Sequence, residues 1–559
     1  MSAEQTLNHN NAQGTENISS QIDYSNGNPM NLSYANIKMI EAFGVPLTNS
    51  DGKERVEKIE KIWERSAWLR GKFYRVPGGA LGQYFTTTLA KEVVALADGE
   101  VKSEKASMFG KIILQKDKKI VKSSDIRRLL RRRIKMWEDG LFEELIHEAE
   151  LCDKKLGKSV GANISDEQAI KIFTRLILLG KVREAAWFIT ERGSKGGVLD
   201  PFYVVDKGET VKQVLESKHP PQAEAVTDAF IVCDELPVFI DVDITAEHVA
   251  KVARSLSGSA GLSGIDSQQW TDLLLKFGGA SSDLREAIAS LVRRLANTIV
   301  PWEDIRALKA KRLIALDKCP GHRPIGVGDV MDRLCAKVMI EVVGDDVQQV
   351  CGADQICSGM KSGIEGSIHA FSELFESNSK NGWGLLLVDA ANAFGTINRP
   401  AALWNARVLW PRCSKYLFNS YRGYALLIIA GSKEYLFSRE GVTQGDPLAM
   451  LLYGLAVLPL ARKLKKPEKW KQNWYADDSA CSAPLTLIFE WFELLIREGP
   501  KYGYFPEPQK SFLVISPEFF DEAEHIFKDL GVKIVTGQIF FGGFIGLASD
   551  TESWLHEKN

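Results

Sequence analysis

The apolar positions of this chain fall into three regimes along its length. Residues 1–35 have almost no bulky apolar positions and are rich in Asn, Ser, Gln and Gly. Burial there cannot offset the entropy of ordering, so residues 1–36 are expected to form a disordered tail. From about Ile37 a helical period takes over. Residues 52–75 read as a charged amphipathic helix that packs Ile59, Ile62, Trp63 and Trp68 on one face. Ile126, Leu130, Ile134 and Trp137 repeat at 3.6-residue spacing, with Ser124 or Asp125 placed to cap that helix. Residues 138–220 continue the helical pattern, which Pro220 and Pro221 bring to a boundary. Residues 245–300 predict two or three helices around the small-residue loop 258–264. The pattern then changes. Residues 313–316 read as a short strand and Pro320-Gly321 as the turn of a hairpin. Residues 384–389 are an apolar run closed by Asp389, the signature of a buried strand. Residues 447–461 are an uncharged apolar helix, opened by Pro447 and capped by Asp446. Asp477 and Asp478 sit between hydrophobic flanks, as at the tip of a β-hairpin. No internal repeat of 20–50 residues is present.

Composition narrows the function classes. The chain has 559 residues, 45% hydrophobic and 25% charged, which argues against a disordered or fibrous protein and for three or four domains. Lys plus Arg is 70 against 72 Asp plus Glu, so any nucleic-acid surface must be local. The densest candidate is residues 116–135, with ten Lys or Arg against Asp117 and Asp125. Arg127, Arg128, Arg131, Arg132 and Lys135 fall away from the apolar stripe. They form either a face toward phosphates or a solvated basic face. The run 127–133 could also serve as an import signal. Eight scattered cysteines without a C-x-x-C pair argue against zinc fingers and a disulfide framework. No signal peptide opens the chain. An intracellular protein, nuclear or cytoplasmic and not secreted, is expected. The longest uncharged apolar stretch, residues 447–461, falls short of the ~18–20 residues that span a bilayer. No membrane association is expected. P-loop, H-E-x-x-H and G-x-S-x-G signatures are absent.

The candidate chemistry lies in the second half. A hairpin around Pro320-Gly321 can present Lys318 and Arg323 together. Asp389, at the C-terminal end of a buried strand, is either a metal ligand or the residue that turns the chain. Adjacent strand residues point to opposite faces, so Asp477 and Asp478 are not equivalent, and at most one need share a site with Asp389. Two carboxylates converging from separate segments make a hard-oxygen site suited to Mg²⁺ and substrate phosphates. Two such ions can clamp both oxygens of a phosphoryl transfer. Gly445 allows the backbone to approach a ligand closely.

The runs D-A-A-N-A-F (389–394), Q-G-D-P-L (444–448) and Y-A-D-D (475–478), in this order, resemble palm motifs A, B and C of reverse transcriptases. The likeness is strongest to the polymerases of non-LTR retrotransposons. Residues 323–325 (Arg-Pro-Ile) match the family's fingers motif, 503–511 resemble motif D, 541–546 resemble the motif E hairpin, and 261–266 resemble the small-residue motif that opens the fingers. The resemblance covers roughly residues 245–546.

The resemblance implies an α+β right-hand polymerase. Its parts are a mostly helical N-terminal region with the basic helix (37–240), fingers (241–380), palm (381–546) and a short C-terminal tail (547–559). The palm is expected to hold an antiparallel sheet with Asp389 and Asp477 adjacent on one face. These two would ligate two Mg²⁺ ions, with Mn²⁺ as a substitute, and Asp478 would support them. Phe394 would stack under the incoming sugar and exclude a 2′-hydroxyl. Gln444 and Gly445 would line the incoming nucleotide and template. Arg323, with Lys318 or Lys311 as helper, would hold the triphosphate. Lys510 would protonate the leaving pyrophosphate, and residues 542–546 would guide the primer end. The implied activity is RNA-directed DNA synthesis on an RNA template from a DNA primer and dNTPs. One departure stands out. The family carries a helical thumb after motif E, whereas thirteen residues follow Gly546. That departure raises the alternative of a truncated or decayed, element-derived protein that binds nucleic acid without processive synthesis.

Overall fold

Helical periodicity in the first half yields helices packed side by side, and two small sheets in the second half carry the candidate chemistry. The computed structural model describes residues 33–48, 58–69, 71–156, 166–180, 182, 185, 198–205, 208–317 and 322–558. Most of the tail 1–36 therefore lies outside the described residues, and a helix, Tyr34–Phe43, begins within its last three positions. The Trp-bearing stretch forms the helix Lys58–Ala67 with Ile62 and Trp63 buried. The helix Ala80–Asp98 lies along Gly279–Asn297, so one core runs from the N-terminal helices into the second half of the chain. The segment 245–300 forms three helices, Ala246–Arg254, Ser267–Leu275 and Gly279–Asn297.

The basic stretch forms the helix Ser123–Glu138. Leu130, Ile134 and Trp137 face the core, as the 3.6 period requires. Trp137 donates from Nε1 to Glu92 at 2.8 Å and meets Phe109 and Phe142 edge-on. The helix starts two or three residues earlier than capping by Ser124 or Asp125 would set it, after Lys122, and no side chain caps it. Helical structure expected to continue toward 220 gives way to turns and bridges within 198–205 and 208–210, followed by the short helix Val211–Ser217.

A four-stranded sheet runs in the order β2-β1-β4-β5. β1 (Lys311–Asp317) and β2 (His322–Gly328) form the expected antiparallel hairpin. β4 (Ala425–Ile429) pairs with β1 in parallel and with β5 (Tyr435–Ser438) in antiparallel. Leu313, Ala315, Leu427 and Ile429 face Val211 and Leu215 of the short helix.

A five-stranded sheet has the order β6-β7-β3-β8-β9. β3 (Trp383–Val388) lies at its centre, antiparallel to β7 (Asp478–Pro484) and to β8 (Phe512–Val514). β6 (Lys471–Tyr475) completes a hairpin with β7. β9 (Lys533–Val535) joins β8 in parallel, so the sheet expected to be antiparallel is mixed. Alternation sorts its side chains. Leu385, Leu387, Ala480 and Val514 pack with Phe371, Phe375, Phe540 and Ile545. The helix Leu485–Glu498 covers the other face. The hairpin of β10 (Gly537–Phe540) and β11 (Gly543–Gly546) turns through Phe541 and Gly542, both at positive φ, as a two-residue turn between twisted strands demands. Residues 548–558 form a helix, Ala548–Lys558, where a tail is expected.

Candidate active site

The strand that carries Asp389 is held at its end by two neighbours. Val388, the last paired residue of β3, opposes Ser479 of β7. One step further along this register, Asp389 comes opposite Asp478, and Asp477 occupies the two-residue β6–β7 turn with Ala476. On the other side, Ala390 bridges Pro506, and the Glu507 amide donates to the Asp389 carbonyl at 2.8 Å. The sequence places Asp389 beside Asp477; the register makes Asp478 its direct cross-strand neighbour, because Asp477 belongs to the turn. All three carboxylates nevertheless act on one group. Burial pushes the Tyr504 hydroxyl up, and Asp477, Asp478 and Asp389 push it further. That hydroxyl donates to the Asp477 carbonyl at 2.8 Å. Asp389 and Asp477 are half-buried and Asp478 is exposed.

Among the described residues no three His, Cys, Asp or Glu side chains form a closed metal-binding cluster. Mg²⁺ is held by one or two carboxylates and completed by water and substrate phosphates. The donor set at this sheet end, hard oxygens only and partly open to solvent, fits such an ion.

A narrow cleft of ≈ 20 Å³ is lined by Phe394, Gln444, Pro324, Gly326, Lys218 and His219 among others; Asn392, three residues after Asp389, also lines it, and none of the three carboxylates does. Phe394 stacks on Tyr453, with ring centroids 4.7 Å apart. Burial pushes the Tyr453 hydroxyl well up, and Asp477 and Asp478 are among the charges acting on it. The Phe394 backbone is pinned by the Val442 amide at 2.7 Å. The Gln444 Oε1 atom is buried and has no hydrogen-bond partner, a polar group that a ligand could satisfy. Gly445 has φ +105°, and a Cβ there would sit 2.7 Å from the Gly326 carbonyl oxygen. What this glycine approaches is strand β2, and the Gly326 amide donates to the Gln444 carbonyl at 2.9 Å.

Other expected residues lie apart from the cleft. Arg323 is exposed and opposes Leu316, on the face of β2 opposite to the cleft-lining Pro324 and Gly326. Lys318 lies outside the described residues. Lys311, the alternative to Lys318 as triphosphate helper, is engaged elsewhere. Its ammonium is buried and bound to Asp446 at 3.1 Å, with Asp332 at 3.9 Å. Asp446 also accepts from the Leu448 amide at 3.0 Å in the turn that precedes the helix Ala449–Leu464. That helix begins two residues later than Pro447, with Leu448 at its N-cap and no side chain capping it, so the expected opening by Pro447 and capping by Asp446 are not found. Lys510 is exposed and ion-paired with Glu507, whose amide holds Asp389. The β10–β11 hairpin reaches the carboxylate end through Phe541, whose ring lies 5.4 Å from that of Tyr475.

Several site residues carry no motif signal. Lys218 and His219 close one side of the cleft. The Lys218 carbonyl accepts from Asn392 Nδ2 at 3.0 Å, and burial pulls the His219 imidazole down. Arg399 is fully buried and donates to Ser438, Glu440 and Gly441 main-chain oxygens, and the Glu440 carboxylate in turn receives the Arg399 and Ala223 amides. The N-R-P at 398–400 hints only at a helix start. On the basic helix, Arg127, Arg128, Arg131 and Arg132 are exposed. Arg132 is held by Glu148 and Arg127 reaches the Gly78 carbonyl at 3.3 Å. Arg133 points inward, donating to Ile113 and Gln115 carbonyls and to Glu148.

No family model matches the chain, and no curated protein matches it. Among solved structures the chain is similar to apo telomerase from Candida tropicalis, at 12% identity and a TM-score of 0.32, over 44% of this chain and 49% of that one. The chain thus spans about half the length of the telomerase chain it matches.

Proposed function

We propose that this chain is an RNA-directed DNA polymerase of the reverse-transcriptase type, derived from a non-LTR mobile element. In this reading the four-stranded sheet belongs to the fingers and the five-stranded sheet to the palm of a right-hand polymerase. The observation that carries it is the register that brings Asp389, Asp477 and Asp478 to one sheet end; Phe394, five residues after Asp389, lines a cleft with Gln444. Asp389 and Asp477 would hold two Mg²⁺ ions, and Asp478 would add negative charge from across the strand. When bound, the ions supply charge neutralisation at the attacking 3′-hydroxyl and the departing pyrophosphate. The protein contributes position and electrostatics. The Phe394 ring, fixed by Tyr453, blocks the space of a 2′-hydroxyl. Gln444 Oε1 offers an acceptor to the nucleotide or template. Arg323 and Lys318 would take the triphosphate by the resemblance alone, since Arg323 lies on the face of β2 opposite the cleft and Lys318 outside the described residues. Lys510, released from Glu507, gives a proton from Nζ to the pyrophosphate. The exposed arginines of the helix Ser123–Glu138 hold RNA phosphates.

Primer extension on a primed RNA template with Mg²⁺ and dNTPs tests this. The wild type is expected to extend and Asp477→Asn to lose extension by at least about a thousandfold. A second reading is favoured by the narrowness of the cleft, which Lys218 and His219 close on one side. That reading is a nucleic-acid-binding protein without synthesis. Salt-dependent RNA binding with no extension by the wild type would select it.

A further inference from the structure

The two residues of the carboxylate turn are each gripped by a buried side chain from a distant segment. Ala476 has φ +51°, a left-handed backbone that L side chains rarely adopt. Gln355, 121 residues earlier and 0% exposed, takes both main-chain groups of this residue. Its Oε1 accepts from the Ala476 amide at 2.9 Å, and its Nε2 donates to the Ala476 carbonyl at 3.3 Å. The same Oε1 accepts from the Cys357 amide at 3.4 Å, which ties the carboxamide to the short turn Ile356–Ser358. On the next residue, the Tyr504 hydroxyl binds the Asp477 carbonyl and lies 3.0 Å from Ser479 Oγ.

We infer that Gln355 is a positioning residue for the metal-binding carboxylates: it locks Ala476 in the left-handed conformation and so aims Asp477 relative to Asp389. The inference rests on the polymerase reading of this site. A carboxamide that accepts from one residue's N–H and donates to its C=O fixes the peptide units on both sides of that residue, and with them its φ and ψ. Without it, an alanine relaxes toward negative φ and the Asp477 side chain swings with the turn. Gln355 does not bind metal, since its carboxamide is engaged by backbone and sealed from solvent.

The test uses Gln355→Met, Ala476→Gly and the double variant in the full chain. Three readouts are followed: hydrogen exchange of the hairpin 471–484, Mn²⁺ binding by electron paramagnetic resonance, and the Mg²⁺ half-saturation of primer extension. In Gln355→Met the hairpin should exchange faster and Mn²⁺ affinity fall by about 10–100-fold. The Mg²⁺ half-saturation should rise in step, while the KM for dNTP at saturating Mg²⁺ stays within about twofold. Ala476→Gly should restore part of the loss, because glycine adopts positive φ without steric penalty. Should Gln355→Met fail to fold, Gln355→Glu keeps the shape and sets an oxygen against the Ala476 carbonyl, and the same readouts apply. Unchanged Mn²⁺ affinity and Mg²⁺ half-saturation in a variant with a looser hairpin would reduce Gln355 to a structural contact and overturn the inference. So would wild-type Mn²⁺ binding that Asp477→Asn leaves intact. A wild type that binds Mn²⁺ through Asp477 but extends no primer would sink the polymerase proposal, and the Mn²⁺ affinity of Gln355→Met would still decide the role of Gln355.

Discussion

Single residues show where burial has been allowed to cost stability. Lys111 is buried with its ammonium donating to the Ala67 carbonyl at 3.0 Å, and burial pulls its pKa down to about 7. A depressed lysine is disfavoured in its charged form. Below pH 7 both states are charged and the folded state bears the whole desolvation cost. Between pH 7 and about 10.4 only the unfolded chain keeps the proton, so stability rises with pH over that window. Each tenfold loss of proton affinity on folding is worth about 1.4 kcal/mol. Lys111→Met should therefore stabilise the protein at pH 6 by a few kcal/mol, less the cost of leaving the Ala67 carbonyl unpaired. Urea denaturation at pH 6 and pH 10 checks this: the variant's gain should shrink at the higher pH. Phe394 sets a second residue-level expectation. Its ring rests on Tyr453 and its backbone is held by Val442, so Phe394→Val should leave the backbone in place and open the sugar space. Incorporation of NTP relative to dNTP, read as a ratio of kcat/KM, should rise about 10–100-fold.

At the level of an element, the helix Ser123–Glu138 separates its arginines by task. Its amphipathic period is local and was legible in the sequence: Leu130, Ile134 and Trp137 are buried. The partners of its charges were not legible, because Arg133 and Arg132 bind Glu148 on the following helix. Arg128 and Arg131 remain exposed. Replacing both with Ala should lower RNA affinity and reduce the slope of log K against log salt by about 1.4 for a single strand. Arg132→Ala should change the slope far less, since its guanidinium is already neutralised. Filter binding across a salt series reads both.

Across the whole molecule, a buried charge network ties the four-stranded sheet to neighbouring helices. Lys309 binds Asp332 of the helix Val330–Cys351 at 2.6 Å, and Lys311 of β1 binds Asp446 of the loop before the helix Ala449–Leu464. Burial pulls the Lys311 ammonium down, but Asp446 and Asp332 more than offset it, so the net shift is upward. Burial likewise opposes ionisation of Asp446, and Lys311, the Leu448 amide and Lys309 together outweigh it. Both groups are thus charged in the fold. Removing one leaves the other uncompensated in a dry interior. Lys311→Met should cost about 3–5 kcal/mol, read from denaturant unfolding, and adding Asp446→Asn should recover much of that loss.

The sequence by itself determined the elements and the identity of the chemical groups. Strand β3 ending at Asp389, the β1–β2 hairpin, the apolar helix after Gln444-Gly-Asp-Pro447 and the carboxylate tip of β6–β7 all follow from periodicity and turn chemistry within a few residues. The fold decided which groups meet. Pairing of Val388 with Ser479 brings Asp478 across from Asp389, and strand register is set by burial on both sheet faces, which no local pattern encodes. Lys218 reaches Asn392 across 174 residues, and Gln355 reaches Ala476 across 121. Lys311, read as a phosphate ligand, is instead captured by Asp446, 135 residues away. A lysine's role depends on which carboxylate the packed chain places beside it, and that placement is a property of the tertiary core.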